Sequence, residues 1–125
     1  MQNVSNAEFE VLEALWAAGE PVPASTVVEH LNQQKPWHEK TVKTLLNRLV
    51  NKGCVGFEKD QRRYLYQPLL DRDSYVRTES KGLLDKLFGG RLSPLVAGFA
   101  KDKALSREDI DALKRLIDNW EQDHD

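Results

Sequence analysis

Apolar residues recur at helical spacing as far as Asn51, change to a strand-like pattern through Gln67, and return to helical spacing after Pro68. Ser5-Asn6-Ala7-Glu8 is a capping box, in which the Ser5 hydroxyl and the Glu8 carboxylate satisfy the backbone N–H groups that open a helix. Phe9, Leu12, Leu15 and Trp16 then mark the helix, and Gly19 ends it. Pro21-Val22-Pro23 predicts a stiff connector. Val27, Val28 and Leu31 form the apolar face of a short second helix, which breaks at Lys35-Pro36-Trp37 because a residue before proline is pushed away from helical geometry.

The spacing predicts a third helix from about Glu39 to Asn51, stopped at Lys52-Gly53. Val42, Leu45, Leu46 and Leu49 fall on one face. At about 100° per residue, Lys40, Thr44, Asn47 and Asn51 fall opposite, flanked by Lys43 and Arg48. Cys54–Lys59 and Arg63–Gln67 read as two strands around a polar turn at Asp60-Gln61-Arg62, with Pro68 closing the second. Asp71 can cap a helix that runs to about Phe88 and stops at Gly89-Gly90. Ser93-Pro94 starts a short helix through Phe99, with serine as the cap, and Ser106 opens the last.

Composition narrows the class. A chain of 125 residues suits one domain, or a compact domain with an oligomerisation appendage, and is long enough to need no metal or disulfide staple. With 40% hydrophobic and 30% charged residues it reads as soluble and globular. Apolar runs such as Leu95-Val96-Ala97 are too short to span a bilayer, and Met1-Gln2-Asn3-Val4 has no secretory character. The single cysteine, Cys54, excludes a disulfide framework and a cysteine-built zinc site. A cytoplasmic location is expected.

The net charge of −2 argues against a polyanionic partner until its distribution is considered. Residues 1–34 hold five acids and no Lys or Arg, whereas residues 35–63 hold eight bases against Glu39, Glu58 and Asp60. The whole positive excess therefore sits on the third helix, the hairpin and the segment just before them. Three short helices followed by a two-stranded ribbon is the layout of a winged helix-turn-helix. The expected fold is mainly α with a small antiparallel hairpin: a winged helix over residues 1–70 and a helical dimerisation domain over 71–125. In a winged helix the last helix enters the major groove and the hairpin lies near the phosphates. Lys40, Lys43 and Arg48 can neutralise phosphates or donate to guanine, Thr44 and Asn47 can read base edges, and Lys59, Arg62 and Arg63 suit a backbone contact at the hairpin tip. A winged-helix module used for protein–protein contact without DNA is the alternative.

Catalytic readings find little support. Cys54 opens a strand and reads as a small buried hydrophobe. Gly89-Gly90 lacks the strand and the lysine of a phosphate loop, and the acid pairs Asp71/Asp73 and Glu108/Asp109 suit helix starts. No catalytic residue, metal ligand or cofactor is assigned. His124 alone is no metal site.

The residues also carry a resemblance. Thr41-Val42-Lys43-Thr44-Leu45-Leu46-Asn47-Arg48-Leu49-Val50-Asn51-Lys52-Gly53 resembles the third-helix signature of the penicillinase-repressor (BlaI/MecI/CopY) family. Ala7–Leu12 with Leu15-Trp16 resembles its first helix, Tyr64–Leu69 its second wing strand, and Leu83–Gly90, Leu95–Phe99, Leu105-Ser106 and Asp109-Ile110 its C-terminal portion. The resemblance implies a dimeric repressor that binds a double-stranded operator. Antibiotic-responsive members are inactivated by proteolysis at an Asn-Phe bond after a membrane sensor's signal. The equivalent pair here is Gly98-Phe99, so a sensor or protease partner is carried over only as a candidate. The cysteine-rich tail of copper-responsive relatives is replaced by Trp120-Glu121-Gln122-Asp123-His124-Asp125. His38 stands where relatives usually carry a serine cap, and since imidazole caps poorly the third helix is expected to start on other partners.

Two apolar stripes remain after the winged domain. Ile110, Leu113, Ile117 and Trp120 form one, and Tyr75, Val76, Leu83, Leu84, Leu87 and Phe88 form the other. Three helices of modest length make a thin core, so exchange with a second subunit is the expected way to bury them. A two-fold homodimer then demands a palindromic site.

Overall fold

The computed structural model describes residues 3–124; Met1, Gln2 and Asp125, at the ends of the two expected domains, lie outside the described residues. The elements are α1 (Asn6–Ala18), α2 (Ala24–Asn32), α3 (Glu39–Asn51), β1 (Val55–Asp60), β2 (Arg63–Pro68), α4 (Arg72–Phe88), α5 (Ser93–Lys101) and α6 (Arg107–His124). The order is the expected one, and the winged helix is formed as the pattern predicts. Two compact units divide the chain, Met1–Val76 and Arg77–Asp125.

In the first unit, local chemistry sets the helix ends. The capping box closes in both directions: Ser5 N donates to Glu8 Oε1 at 2.8 Å and Glu8 N to Ser5 Oγ at 3.1 Å. Gly19 (φ 70°) and Gly53 (φ 77°) occupy the left-handed region that a side chain disfavours, which is where α1 ends and where the chain turns after α3. The start of α3 differs from expectation. His38 is the cap, its Nδ1 accepting from Lys40 N at 3.3 Å, because its extended backbone (φ −80°, ψ 134°) aims the ring back at the first turn.

The core collects Val11, Leu12 and Leu15 of α1, Val27 and Leu31 of α2, and Val42, Leu45, Leu46 and Leu49 of α3, closed by Cys54 and Val55. The apolar residues of α1 thus divide between two faces. Leu12 and Leu15 point inward with Val11, whereas Phe9 and Trp16 face the first turn of α4. There Tyr75, only 6% exposed, lies 5.9 Å from the Phe9 ring and 6.3 Å from Trp16, Trp16 Nε1 donates to the Leu70 carbonyl at 2.9 Å, and Arg72 grips Glu13 through Nε and Nη2. Tyr75, expected on a dimer stripe, therefore belongs to the core of the first unit.

The hairpin is antiparallel, with Val55 opposite Pro68 and Asp60 opposite Arg63. β1 starts one residue later than expected because Cys54 is held in the turn, its N–H donating to the Leu49 carbonyl at 2.9 Å. Asp60 joins the strand and leaves a two-residue loop, Gln61-Arg62, with Gln61 at φ 59°. The connector between α1 and α2 does more than stiffen the chain. Val22 makes a two-way bridge with Tyr66, at 3.0 Å and 2.7 Å, and proline on either side leaves no further N–H to extend it.

In the second unit, α5 starts differently from expectation. Leu92 holds the cap position without a side-chain bond, Ser93 is the first helical residue, and the helix reaches Lys101, two residues past Phe99. Pro94 is tolerated in the first turn, where its missing N–H would have had no partner. Ser106 caps α6, its Oγ accepting from Asp109 N at 3.0 Å. Leu83, Leu87, Leu116, Ile117 and Trp120 are each more than half exposed, and Leu84, Phe88, Ile110 and Leu113 are half-buried. Leu116 extends the expected stripe. Among the described residues, none after Tyr75 is fully buried.

Candidate nucleic-acid interface

α3 is built with two chemically distinct faces. Val42, Leu46 and Leu49 are completely enclosed, which fixes the rotation of the helix about its axis. That rotation leaves Lys40, Lys43, Thr44, Asn47 and Arg48 exposed on the other side, where Lys40, Thr44 and Arg48 border a shallow groove with Thr41 and Leu45. Thr44 Oγ1 donates back to the Lys40 carbonyl at 3.0 Å. Its hydroxyl hydrogen is therefore engaged, and what it offers outward is an acceptor oxygen and a methyl group.

The eight bases between Lys35 and Arg63 divide into two sets. Lys52 turns inward, 2.7 Å from Glu8 Oε1, and Lys35 lies 3.5 Å from Glu10 Oε2 and over the Trp37 ring. Both answer acids of α1, which charge counting along the chain missed. The other six are Lys40, Lys43, Arg48, Lys59, Arg62 and Arg63. Among the described residues, two of these have exposed acidic neighbours: Lys43 with Glu39 at 3.4 Å, and Arg63 with Asp60 at 3.9 Å. Exposed pairs of this kind are worth about 0–1 kcal/mol, little enough to exchange for a phosphate.

α3 and the wing face each other across an open cleft of about 310 Å³, lined by Lys43 and Glu39, by Arg62, Arg63, Tyr64 and Tyr66, and by the start of α2 at Pro23, Ala24 and Ser25. Tyr64 and the contact of the wing with α2 were not foreseen from sequence, where the strands carried only their alternation. The Val22–Tyr66 bridge holds the wing beside the helices and gives the cleft its wall.

The remaining expectations fall outside this surface. Gly98 and Phe99 lie within α5, and a Cβ added at Gly98 would meet no atom of the described residues within 4 Å. His124 stacks on Trp120 at 4.1 Å, with its Nδ1 2.8 Å from the Trp120 carbonyl oxygen. Cys54 is buried at the end of the core, where desolvation pushes its thiol up against the opposing pull of Lys52.

The family model described as penicillinase repressor matches residues 4–119 of the chain. The penicillinase repressor of Bacillus licheniformis is 30% identical over 115 residues, covering 92% of this chain and 89% of the relative. The methicillin resistance regulatory protein MecI of Staphylococcus aureus (strain N315) is 30% identical over 114 residues, covering 91% and 92%. The solution structure of the Bacillus licheniformis BlaI monomeric form in complex with the blaP half-operator aligns with a TM-score of 0.50 at 31% identity, covering 59% of this chain and 89% of that one.

Proposed function

The chain belongs to the penicillinase repressor family, and from that premise we propose that it is a transcriptional repressor that binds a palindromic DNA operator as a homodimer. It is not an enzyme; the family is one of repressors. The observation that carries the reading is the division of α3. Its apolar face is locked into the core, and its outer face presents Thr44 and Asn47 between Lys40, Lys43 and Arg48. A helix so fixed can enter the major groove with short polar groups at the base edges and cations at the phosphates. Lys59, Arg62 and Arg63 on the wing serve the flanking backbone. The complex of BlaI with a half-operator supports the same use of the matching domain.

The dimer rests on the second unit. A soluble chain seldom leaves stripes such as Leu83/Leu87 and Leu116/Ile117/Trp120 open to water, and two copies can bury them against each other together with Leu84, Phe88, Ile110 and Leu113. A repressor of this kind works where the chromosome is, in the cytoplasm. Selection of random duplex fragments on the purified chain tests the operator, and sedimentation at micromolar concentration tests the assembly. The expected results are an enriched inverted repeat and a dimer. Retained fragments without symmetry, or a monomer, would overturn the corresponding half of the proposal.

A further inference from the structure

The wing carries more than cations. Phe57 and Tyr64 are about half exposed, at 51% and 48%, and meet edge to face with ring centroids 5.1 Å apart. In the strand register Lys59 is directly opposite Tyr64 and Phe57 is opposite Tyr66, so these four side chains share one face of the hairpin. Its two tyrosines border the cleft, with Phe57 behind Tyr64. Tyr64 and Tyr66 line the cleft beside Arg62, Arg63 and, across it, Lys43. Exposed aromatic rings at a hairpin tip cost solubility without adding to the core, and here they alternate with positive charge.

We propose that this cleft grips one sugar–phosphate strand of duplex DNA, its cations taking phosphates and the Tyr64 ring, braced by Phe57, packing on the apolar face of a deoxyribose. The inference rests on the DNA-binding reading above and deepens it, adding an aromatic contact on the backbone sugar to a wing described so far by charge. The alternation fits because the strand itself alternates: an anionic phosphate follows an apolar sugar at every nucleotide. Charge complementarity selects this occupant over an apolar partner, since Lys43, Arg62 and Arg63 border the ring. Glu39, also on the cleft wall and paired with Lys43, would give up its lysine to the phosphate.

The two kinds of contact separate by salt. Neutralising phosphates releases counterions, so the logarithm of affinity falls with the logarithm of salt by about 0.9 for each phosphate, whereas ring-on-sugar packing releases none. Full-length Tyr64→Ala, measured by anisotropy on the duplex enriched in the selection, should bind about tenfold more weakly with an unchanged salt slope. Tyr64→Phe should match the parent chain, and Arg62→Ala should lower the slope by about one per subunit. In the complex, Tyr64 ring protons should show NOEs to deoxyribose protons, which checks the contact independently of how the alanine variant folds. Parent-like affinity of Tyr64→Ala, a loss that appears only as a changed salt slope, or no ring-to-sugar NOE would overturn the inference while leaving DNA binding intact. A parent chain that binds no duplex would overturn both readings.

Discussion

The Lys52 ammonium lies 2.7 Å from Glu8 Oε1 and 2.7 Å from the Asn3 carbonyl oxygen, joining the end of α3 to the start of α1. The Glu8 side chain is almost fully enclosed, and among the described residues its Oε2 has no hydrogen-bond partner, so the carboxylate depends on Lys52 and the Ser5 cap for compensation. Removing one member of a buried pair leaves the other uncompensated, at about 3–5 kcal/mol for full burial. Because Lys52 keeps some contact with water, Lys52→Ala should cost about 3 kcal/mol, at the lower end of that range. Urea unfolding measures it, and a loss near that of an ordinary surface lysine would show the pair to be unimportant.

The same carboxyl predicts a pH dependence. Burial pushes its pKa up, but the hydrogen bonds from Lys52 and Ser5, with the lysine charge, outweigh this and hold it below the ordinary 4.5. A group with a depressed folded pKa stabilises the fold above its unfolded value and loses that contribution as the pH falls through the folded one. The unfolding midpoint should therefore drop as the pH falls below about 4.5. Glu8→Gln should be less stable at neutral pH and should show a shallower acid decline.

Cys54 reports on core opening. Burial raises its pKa, Lys52 opposes the shift and Glu8 adds to it, so the thiolate is scarce as well as enclosed. A thiol reagent at pH 8 should label the native chain at least about a hundredfold more slowly than the chain in urea. Equal rates would mean that the α3–β1 junction opens freely.

Tyr75 tests where the first unit ends. Its ring packs on Phe9 and Trp16, so Tyr75→Ala should destabilise that unit by about 2–4 kcal/mol. Hydrogen exchange should show the loss in α1. Unchanged protection there with a weakened dimer would return Tyr75 to the oligomer stripe.

Features that depend on neighbours in sequence were legible. Ser5 and Glu8 are one helical turn apart, the face of α3 repeats every few residues, and the change of period after Gly53 marks the hairpin. Trp16 and Leu70 are 54 positions apart, Glu13 and Arg72 are 59, and Glu8 and Lys52 are 44, and no periodicity encodes such pairs. For that reason the sequence pattern places Tyr75 with the C-terminal stripe, away from its packing on Phe9 and Trp16, and groups Lys52 with the outward charge. His38 failed as a generalisation about residue type, because the backbone angle and not the imidazole decided whether it caps. The wing cleft could not be foreseen, since it exists only once Val22 bridges Tyr66.

The recognition surface is tested most directly by the salt dependence of duplex binding for the parent chain, Lys43→Ala and Arg48→Ala. Both side chains are exposed and outside the core, so the variants should fold normally. The parent's affinity should fall steeply and linearly on logarithmic axes, and each substitution should weaken binding and reduce the slope by about one per subunit. Binding that is absent, indifferent to salt, or unchanged in both variants would contradict DNA recognition through α3 and favour a winged helix that serves protein contact.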